Sequence, residues 1–284
     1  MTENLTVVSL LEEGVRRLRA AASGLAPGAT PDLDAQLLLA RVLGVARARL
    51  RSHPEEPVGA QATLRYRALM ERRAAGEPVA YLTGEKGFWT LLLAVTPAVL
   101  IPRPETELLV ERALALGPKE HATVADLGTG SGAIALALAS ERPAWRVVAS
   151  DVSPDALAVA RTNAAAADLT QVEFRLGSWF EPFAAERFDL LVSNPPYISA
   201  SDPHLAGLAH EPRLALSAGS DALACLRTII RGAGAHLRPG GWLLLEHGAT
   251  QAPAVRHELV LAGLRHVRSH RDLAGLERMT EGQQ

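Results

Sequence analysis

Cysteine is nearly absent from this 284-residue chain, where Cys225 stands alone. A single thiol forms no internal disulfide and cannot furnish a zinc site of several thiolates, so the chain reads as a cytoplasmic protein. No apolar run approaches the twenty residues that a membrane-crossing helix needs, so no membrane contact is expected. Met1 to Leu11 lack the basic-then-apolar pattern of a secretory signal. A charge excess is missing too: the formal net charge of -2 argues against a non-specific grip on nucleic acid. Up to Ala75, eleven arginines face eight acids, a surplus of +3 that leaves -5 on the remainder. A solvated helical surface explains that surplus as well as a polyanion partner does. His204, His210, His247 and the other histidines show no ligand spacing, so no metal is expected and they read as surface or core residues.

What is present is apolar residue in quantity, 48%, enough for one large domain and a small one. Val7 to Ala22 carries Leu10, Leu11, Val15 and Leu18 at helical spacing, with Arg16, Arg17 and Arg19 on other faces. Pro31 to Leu43 reads as a second helix. Leu50, Leu64, Tyr66, Leu69 and Met70 suggest more helix, ending near Gly76-Glu77-Pro78. Between Tyr81 and Val99 the pattern shortens to strand-like pieces with Gly84 and Gly87, which suggests a hairpin connector. From His121 onward strands and helices alternate, the pattern of a parallel α/β sheet. Strands are expected near 123–126, 146–150, 172–176, 188–193 and 241–246, with a last pair near 266–270 and the C-terminus. Residues 198–220 read as a long loop, and loops of that length near a site often act as lids.

Two motifs carry the chemistry. Val124-Ala125-Asp126 runs into Leu127-Gly128-Thr129-Gly130-Ser131-Gly132 and then an Ala- and Leu-rich stretch, so it reads as strand, glycine turn and helix. A second strand ends at Asp151, nineteen residues after Gly132, where an acid grips a ribose hydroxyl pair. Ser153 is placed to cap the next helix, with Pro154 at its first position. The glycines follow Gly-x-Gly-x-Gly, not the Gly-x-Gly-x-x-Gly of dinucleotide sites. Alone, this loop leaves the choice among nucleotide cofactors open.

The second motif, Asn194-Pro195-Pro196-Tyr197, follows the buried-strand run Leu190-Leu191-Val192. Two prolines remove two backbone donors and stiffen the chain. The Asn194 oxygen and the carbonyls around Pro195 remain as acceptors for both hydrogens of a planar NH2 group. A lone Pro-Pro-Tyr is no more than a stiff loop, but this one, two strands after the glycine loop, points to methyl transfer. An amide nitrogen is a poor nucleophile because its lone pair is delocalised. Two acceptors orient it and stabilise the positive charge that grows as the methyl arrives, an oxyanion hole with its sign reversed. Tyr197 would pack against the amide near a sulfonium methyl, or simply close over the strand end. The sulfonium is already activated, so the chemistry needs no metal.

Several other residues are ambiguous on sequence alone. Glu246 ends an apolar strand, where a structural hydrogen bond and a catalytic role weigh equally. Cys225, beside Leu226, Ile229 and Ile230, is expected in the core. Arg103 suits a peptide carbonyl, a cofactor carboxylate or a plain salt bridge.

Together these residues resemble the HemK/PrmC-type protein-(glutamine-N5) methyltransferases of class I peptide chain release factors. The resemblance covers almost the whole chain. It includes Gly76-Glu-Pro-Val-Ala-Tyr81, Phe88-Trp89, Ile101-Pro-Arg-Pro-Glu-Thr-Glu107, Glu211-Pro212, Gly240-Gly241, Leu245-Glu246-His247-Gly248 and Arg271-Asp272-Leu273-Ala274-Gly275. Asn-Pro-Pro-Tyr is shared with adenine-N6 DNA methyltransferases, whereas Arg103 to Glu107 is far more specific. Relatives that methylate a ribosomal protein carry Pro-Arg-Ser-Pro there.

The resemblance implies an α/β fold: a Rossmann-like class I S-adenosylmethionine-dependent methyltransferase domain at 108–284. Before it come a small helical-bundle recognition domain at 1–80 and a β-hairpin linker at 81–107. It implies S-adenosyl-L-methionine as cofactor and the glutamine of a release factor's Gly-Gly-Gln loop as substrate. By position, Gly128, Thr129, Gly130, Ser131 and Gly132 would hold the methionine part, Asp151 the ribose and Trp179 the adenine. Asn194 would touch cofactor and glutamine, with Pro195, Pro196 and Tyr197 completing the amide pocket. Many relatives have Asp where this chain has Ser178, a weaker acceptor for the adenine amino group. The expected assembly is a monomer without nucleic acid. The competing readings are methylation of a ribosomal-protein glutamine, adenine-N6 methylation of DNA, and a cofactor-binding scaffold without catalysis.

Overall fold

The structure is a computed structural model that describes residues 5–21 and 30–284. It divides into two compact units, Met1–Glu85 with Ala206–His210, and Lys86–Leu205 with Glu211–Gln284.

The first unit contains α1 (Val7–Ala20), α2 (Pro31–Leu43), α3 (Arg47–Ser52), α4 (Ala60–Ala74) and α5 (Val79–Thr83). Thr6 caps α1 through a reciprocal box: its hydroxyl accepts from the Ser9 N–H at 3.4 Å, and the Ser9 hydroxyl accepts from the Thr6 N–H at 2.9 Å. Ala22, the expected end of α1, lies outside the described residues. Val7, Leu10 and Leu18 bury against Leu38, Leu39, Tyr66 and Met70. Gly14 costs α1 helix propensity, but a Cβ there would stand 2.2 Å from the Tyr66 hydroxyl, so the close packing requires it. Asp34 of α2 and Arg73 of α4 form an ion pair at 2.8 Å, both side chains less than a tenth exposed. Arg73 also donates to the Glu77 carbonyl at 3.1 Å, which shares out its buried charge.

The expected strand-like connector from Tyr81 is corrected at its start. Tyr81 to Thr83 are helical, because Pro78 opens the turn of α5 and Gly84, at φ +78°, closes it in the left-handed region. The hairpin proper is β1 (Glu85–Phe88) and β2 (Leu91–Ala94). It turns at Trp89, whose N–H donates to Glu107 Oε1 at 2.8 Å and whose indole N–H donates to Glu141 Oε1 at 2.7 Å. A short 3-10 turn, Pro104–Thr106, then leads into α6 (Glu107–Leu116).

The α/β unit continues through β3 (Thr123–Leu127), α7 (Ala133–Glu141), β4 (Arg146–Asp151), α8 (Pro154–Ala166), β5 (Glu173–Leu176) and β6 (Phe188–Ser193). It ends with α9 (Arg213–Leu216), α10 (Ala224–His236), β7 (Leu237–Glu246), α11 (Ala252–Leu261), β8 (Arg265–Arg271) and β9 (Glu277–Gln283). The seven strands lie in the order β5-β4-β3-β6-β7-β9-β8, parallel except where β9 pairs antiparallel with β7 and β8. One apolar cluster gathers α6 and α7 with Val124, Val192 and Leu244, and a second gathers α10 and α11 with Leu127, Leu191 and Leu245. Strands buried on both faces explain the unbroken apolar runs of the sequence.

Two further expectations change. β7 begins at Leu237 rather than 241, because Gly240 takes φ +81° and the register slips between Phe188 and Leu190. A Cβ at Gly241 would sit 3.0 Å from the carbonyl oxygens of Phe188 and Asp189, so only glycine lets the strands close there. Residues 198–220 are not one open loop. They contain a 3-10 stretch, Pro203–Leu208, and α9, and Ile198 pairs with Ser217.

Candidate cofactor and amide site

Three neighbouring strand ends supply the site. In β3 and β4 Leu127 lies opposite Ser150, and in β3 and β6 Asp126 lies opposite Val192. Gly128, Asp151 and Asn194 therefore leave the sheet side by side at its carboxyl edge. The strand order reverses between β3 and β6, which is where open α/β sheets leave a crevice.

The glycine loop is wound in a conformation that side chains resist, with Gly128, Gly130 and Gly132 at φ +76°, +57° and +84°. The Gly128 and Thr129 N–H groups both donate to the Ser150 carbonyl at 2.9 Å. A Cβ on Gly130 would meet nothing within 4 Å, so that glycine faces open space. Asp151 braces the loop: Oδ2 accepts from the Gly130 N–H at 2.8 Å and Oδ1 from the Ser153 N–H at 2.9 Å. Burial raises its pKa, and the backbone donors partly oppose that rise. Beneath the loop, the fully buried Asp126 accepts from the Thr129 hydroxyl at 2.6 Å. Its other oxygen has no partner in good hydrogen-bonding geometry, and burial pushes its pKa up to about 7 against the opposing pull of Thr129 and the Ala135 N–H.

Above these groups opens a cavity of about 350 Å³, in the size range of small-molecule sites. Gly128, Thr129, Gly130 and Ser131 line it, as do Asp151, Ser178 and Trp179. Gly132 does not; its position for a Cβ is occupied by Leu136 at 3.1 Å and Ala160 at 3.3 Å, so it serves the packing of α7 against α8. The Trp179 ring approaches Gly128, with 3.4 Å between the ring edge and a Cβ built there. Asn194 and Pro196 are on the wall, whereas Pro195 and Tyr197 are not. Tyr197 packs on the second apolar cluster and its hydroxyl donates to Glu246 Oε1 at 3.3 Å.

Asn194 Nδ2 donates to the Thr106 hydroxyl at 3.2 Å, which ties down the amide through its nitrogen and leaves Oδ1 out of that bond. Thr106 sits inside the Arg103-to-Glu107 motif, but nothing in its residue type signalled this contact. Arg103 lines the cavity and is paired with Glu211, whose Oε2 also accepts from the Ile101 N–H at 3.1 Å. The salt-bridge alternative for Arg103 thus has a named partner, more than a hundred residues away and invisible to local pattern. Cys225 lies on the cavity wall rather than in the core. Leu226, Ile229, Ile230 and Ala233 take the buried face of α10, and the adjacent Cys225 turns off it. Asn163 likewise carries no signal in its residue type. Buried in α8, it accepts from the Ala94 N–H at 2.7 Å and donates to the Ala94 and Ser131 carbonyls at 3.0 and 2.9 Å, tying hairpin to glycine loop.

Residues 9–84 match the model described as PrmC N-terminal domain, and residues 104–210 match Methyltransferase small domain. Proteins named release factor glutamine methyltransferase from Xylella fastidiosa, Coxiella burnetii and Aliivibrio fischeri are 53%, 49% and 42% identical to it. Those alignments cover 88%, 88% and 99% of this chain and 92%, 91% and 98% of the relatives. The chain belongs to the release factor glutamine methyltransferase family. Membership makes it a methyltransferase with a Rossmann-like class I catalytic domain, as the resemblance implied. Solved structures share that fold at low identity. A methyltransferase from Pyrococcus furiosus gives a TM-score of 0.53 at 18% identity, covering 76% of this chain and 96% of that one. A 16S rRNA methyltransferase from T. thermophilus, solved with AdoMet and guanosine, gives 0.52 at 19% identity, covering 70% and 49%. Among the described residues no helix is long and apolar enough to cross a membrane.

Proposed function

We propose that the protein transfers a methyl group from S-adenosylmethionine to the side-chain amide nitrogen, N5, of the glutamine in the Gly-Gly-Gln loop of class I peptide chain release factors. The observation that carries this reading is the oriented Asn194 amide, on the wall of the same cavity as the glycine loop and Asp151, in a chain of this family.

The donor set suits a ligand with a ribose, an adenine and an amino-acid tail. Each Asp151 oxygen spends one lone pair on a backbone N–H and keeps another for a ribose hydroxyl. The open face at Gly130 admits the amino-acid tail against bare backbone, and Trp179 offers an apolar wall for the adenine. Bound there, S-adenosylmethionine supplies an activated methyl on its sulfonium.

The protein's own part is to position and to stabilise. Asn194 Oδ1 accepts one hydrogen of the glutamine NH2, and a carbonyl beside Pro195 accepts the other. Both acceptors gain strength as the nitrogen becomes positive, so they favour the transition state over the ground state. Tyr197 backs the motif from the apolar side. The reading takes the protein to act in the cytoplasm as a single chain, without nucleic acid, and gives the helical unit the task of positioning the large protein substrate. Incubation with methyl-labelled S-adenosylmethionine and purified release factor, followed by mass-spectrometric mapping, tests it. Label on the Gly-Gly-Gln glutamine is the expected result; label elsewhere or none overturns it.

A further inference from the structure

Glu246 is a deeply buried charge-bearing group on the strand beside the one that leads into Asn194. In β6 and β7 Ser193 lies opposite Leu245, so Asn194 and Glu246 leave adjacent strands at one level. Glu246 is only 3% exposed, and its Oε2 has no partner in good hydrogen-bonding geometry. Were its role merely structural, an apolar side chain would fill the place without that desolvation cost. Two hydroxyls face the carboxylate. Tyr197 donates to Oε1 at 3.3 Å, and the Thr106 hydroxyl lies against the same group. Thr106 in turn accepts from Asn194 Nδ2 at 3.2 Å. Gln251 Nε2 donates to the Tyr197 carbonyl at 3.0 Å and holds that side of the chain of contacts.

We propose that Glu246 is a positioning residue for methyl transfer: as a carboxylate it anchors the Thr106 and Tyr197 hydroxyls and so fixes the orientation and acceptor strength of the Asn194 amide. The inference rests on the amide-methylation reading above. With Glu246 ionised, the Thr106 hydroxyl, which accepts from Asn194 Nδ2, has a carboxylate beside it to which its own hydrogen can turn, so the donors run one way. That direction draws positive character away from the Asn194 amide and leaves Oδ1 a stronger acceptor. A protonated Glu246 donates to Thr106 instead, the hydroxyl no longer has an acceptor behind it, and the Asn194 orientation loses its anchor.

Burial holds the Glu246 pKa up to about 7, with Glu105 of the 3-10 turn raising it and Thr106, Tyr197 and Arg278 of β9 lowering it. Arg278 is itself bound to Asp272 at 3.1 Å, and Arg103, which faces Tyr197, is paired with Glu211. The switch between the two relay directions therefore falls near neutrality, and kcat is expected to rise with pH through that value.

Glu246→Gln tests this, because the new amide is isosteric and presents a donor to Thr106 at every pH. Expected are a fall in kcat of about tenfold or more, a KM for release factor within about twofold, and loss of the acidic limb of the wild-type profile. Thr106→Val should reproduce the loss, and the double variant should be no worse than either single one. A wild-type kcat in Glu246→Gln, or a loss confined to KM, overturns the proposal. A readout free of substrate separates this from the function itself. In 15N-labelled protein, the Asn194 side-chain amide signals, assigned by their disappearance in Asn194→Ala, should titrate with a midpoint near 7. Asn194 signals that stay flat while the 13C-labelled Glu246 carboxyl itself titrates overturn the relay, even if Glu246→Gln does not fold. A wild-type protein that methylates no release factor refutes the function, while the titration still decides the relay.

Discussion

Replacing Asp151 by alanine removes a carboxylate that already does one job and has capacity for a second. Its oxygens accept from the Gly130 and Ser153 N–H groups at 2.8 and 2.9 Å, and the residue lines the cavity. Two hydroxyls of a ribose fit the remaining lone pairs of those two oxygens. Two charge-assisted hydrogen bonds are worth about 2–4 kcal/mol together, or roughly 30- to 1000-fold in Kd. The Gly130 N–H loses its partner as well, but it borders open space where water can replace the carboxylate, so the fold should survive. Asp151→Asn keeps one acceptor and should lose about half as much free energy. Calorimetric titration with S-adenosylmethionine, paired with a melting curve, measures both effects. Unchanged affinity in a folded Asp151→Ala protein would refute the assignment of the ribose to this residue.

Breaking the buried pair in the helical unit by Asp34→Ala leaves the Arg73 charge without its partner and should cost about 3–5 kcal/mol, read as a lower denaturant midpoint. Asn163→Ala strips partners from the Ala94 N–H and from the Ala94 and Ser131 carbonyls, and a loss of about 2–4 kcal/mol is expected in the same assay. Asp126→Asn should act in a pH-dependent way. The folded pKa of about 7 lies above the ordinary value of 3.8, so the stability tied to the neutral form is full below that lower value and lost as pH rises through 7. The asparagine variant should therefore gain in melting temperature over the wild type at pH above 7 and not near pH 4; a constant difference would rule out this titration.

Much of the α/β unit is legible in the sequence because its central strands β3, β4 and β6 are largely buried and its turns carry glycine and proline. The expected strand 188–193 matches β6, and Asp151 closes β4 as read. What escaped notice has physical causes. The early start of β7 depends on Gly241 admitting the backbone of a neighbouring strand, a contact no local pattern reveals. Helical Tyr81 to Thr83 were hidden by the same Pro and Gly that close their single turn. Within the site, the glycine loop and Asn194 announce themselves by residue type and spacing. Thr106, Asn163 and Glu211 act through partners 88, 69 and 108 residues away, so only the fold brings their roles into view. The apolar neighbours of Cys225 point to the core, yet the helix turns it onto the cavity wall.

In the proposed mechanism the Asn194 oxygen accepts the amide hydrogen more strongly as the methyl moves than before. Single-turnover methyl transfer to release factor by Asn194→Ala, with cofactor saturating and its affinity measured on the same sample, tests that most directly. The rate should fall by roughly 10²–10³, by analogy with loss of one oxyanion-hole donor, while the cofactor still binds. A variant that keeps more than half of the wild-type rate would contradict the account.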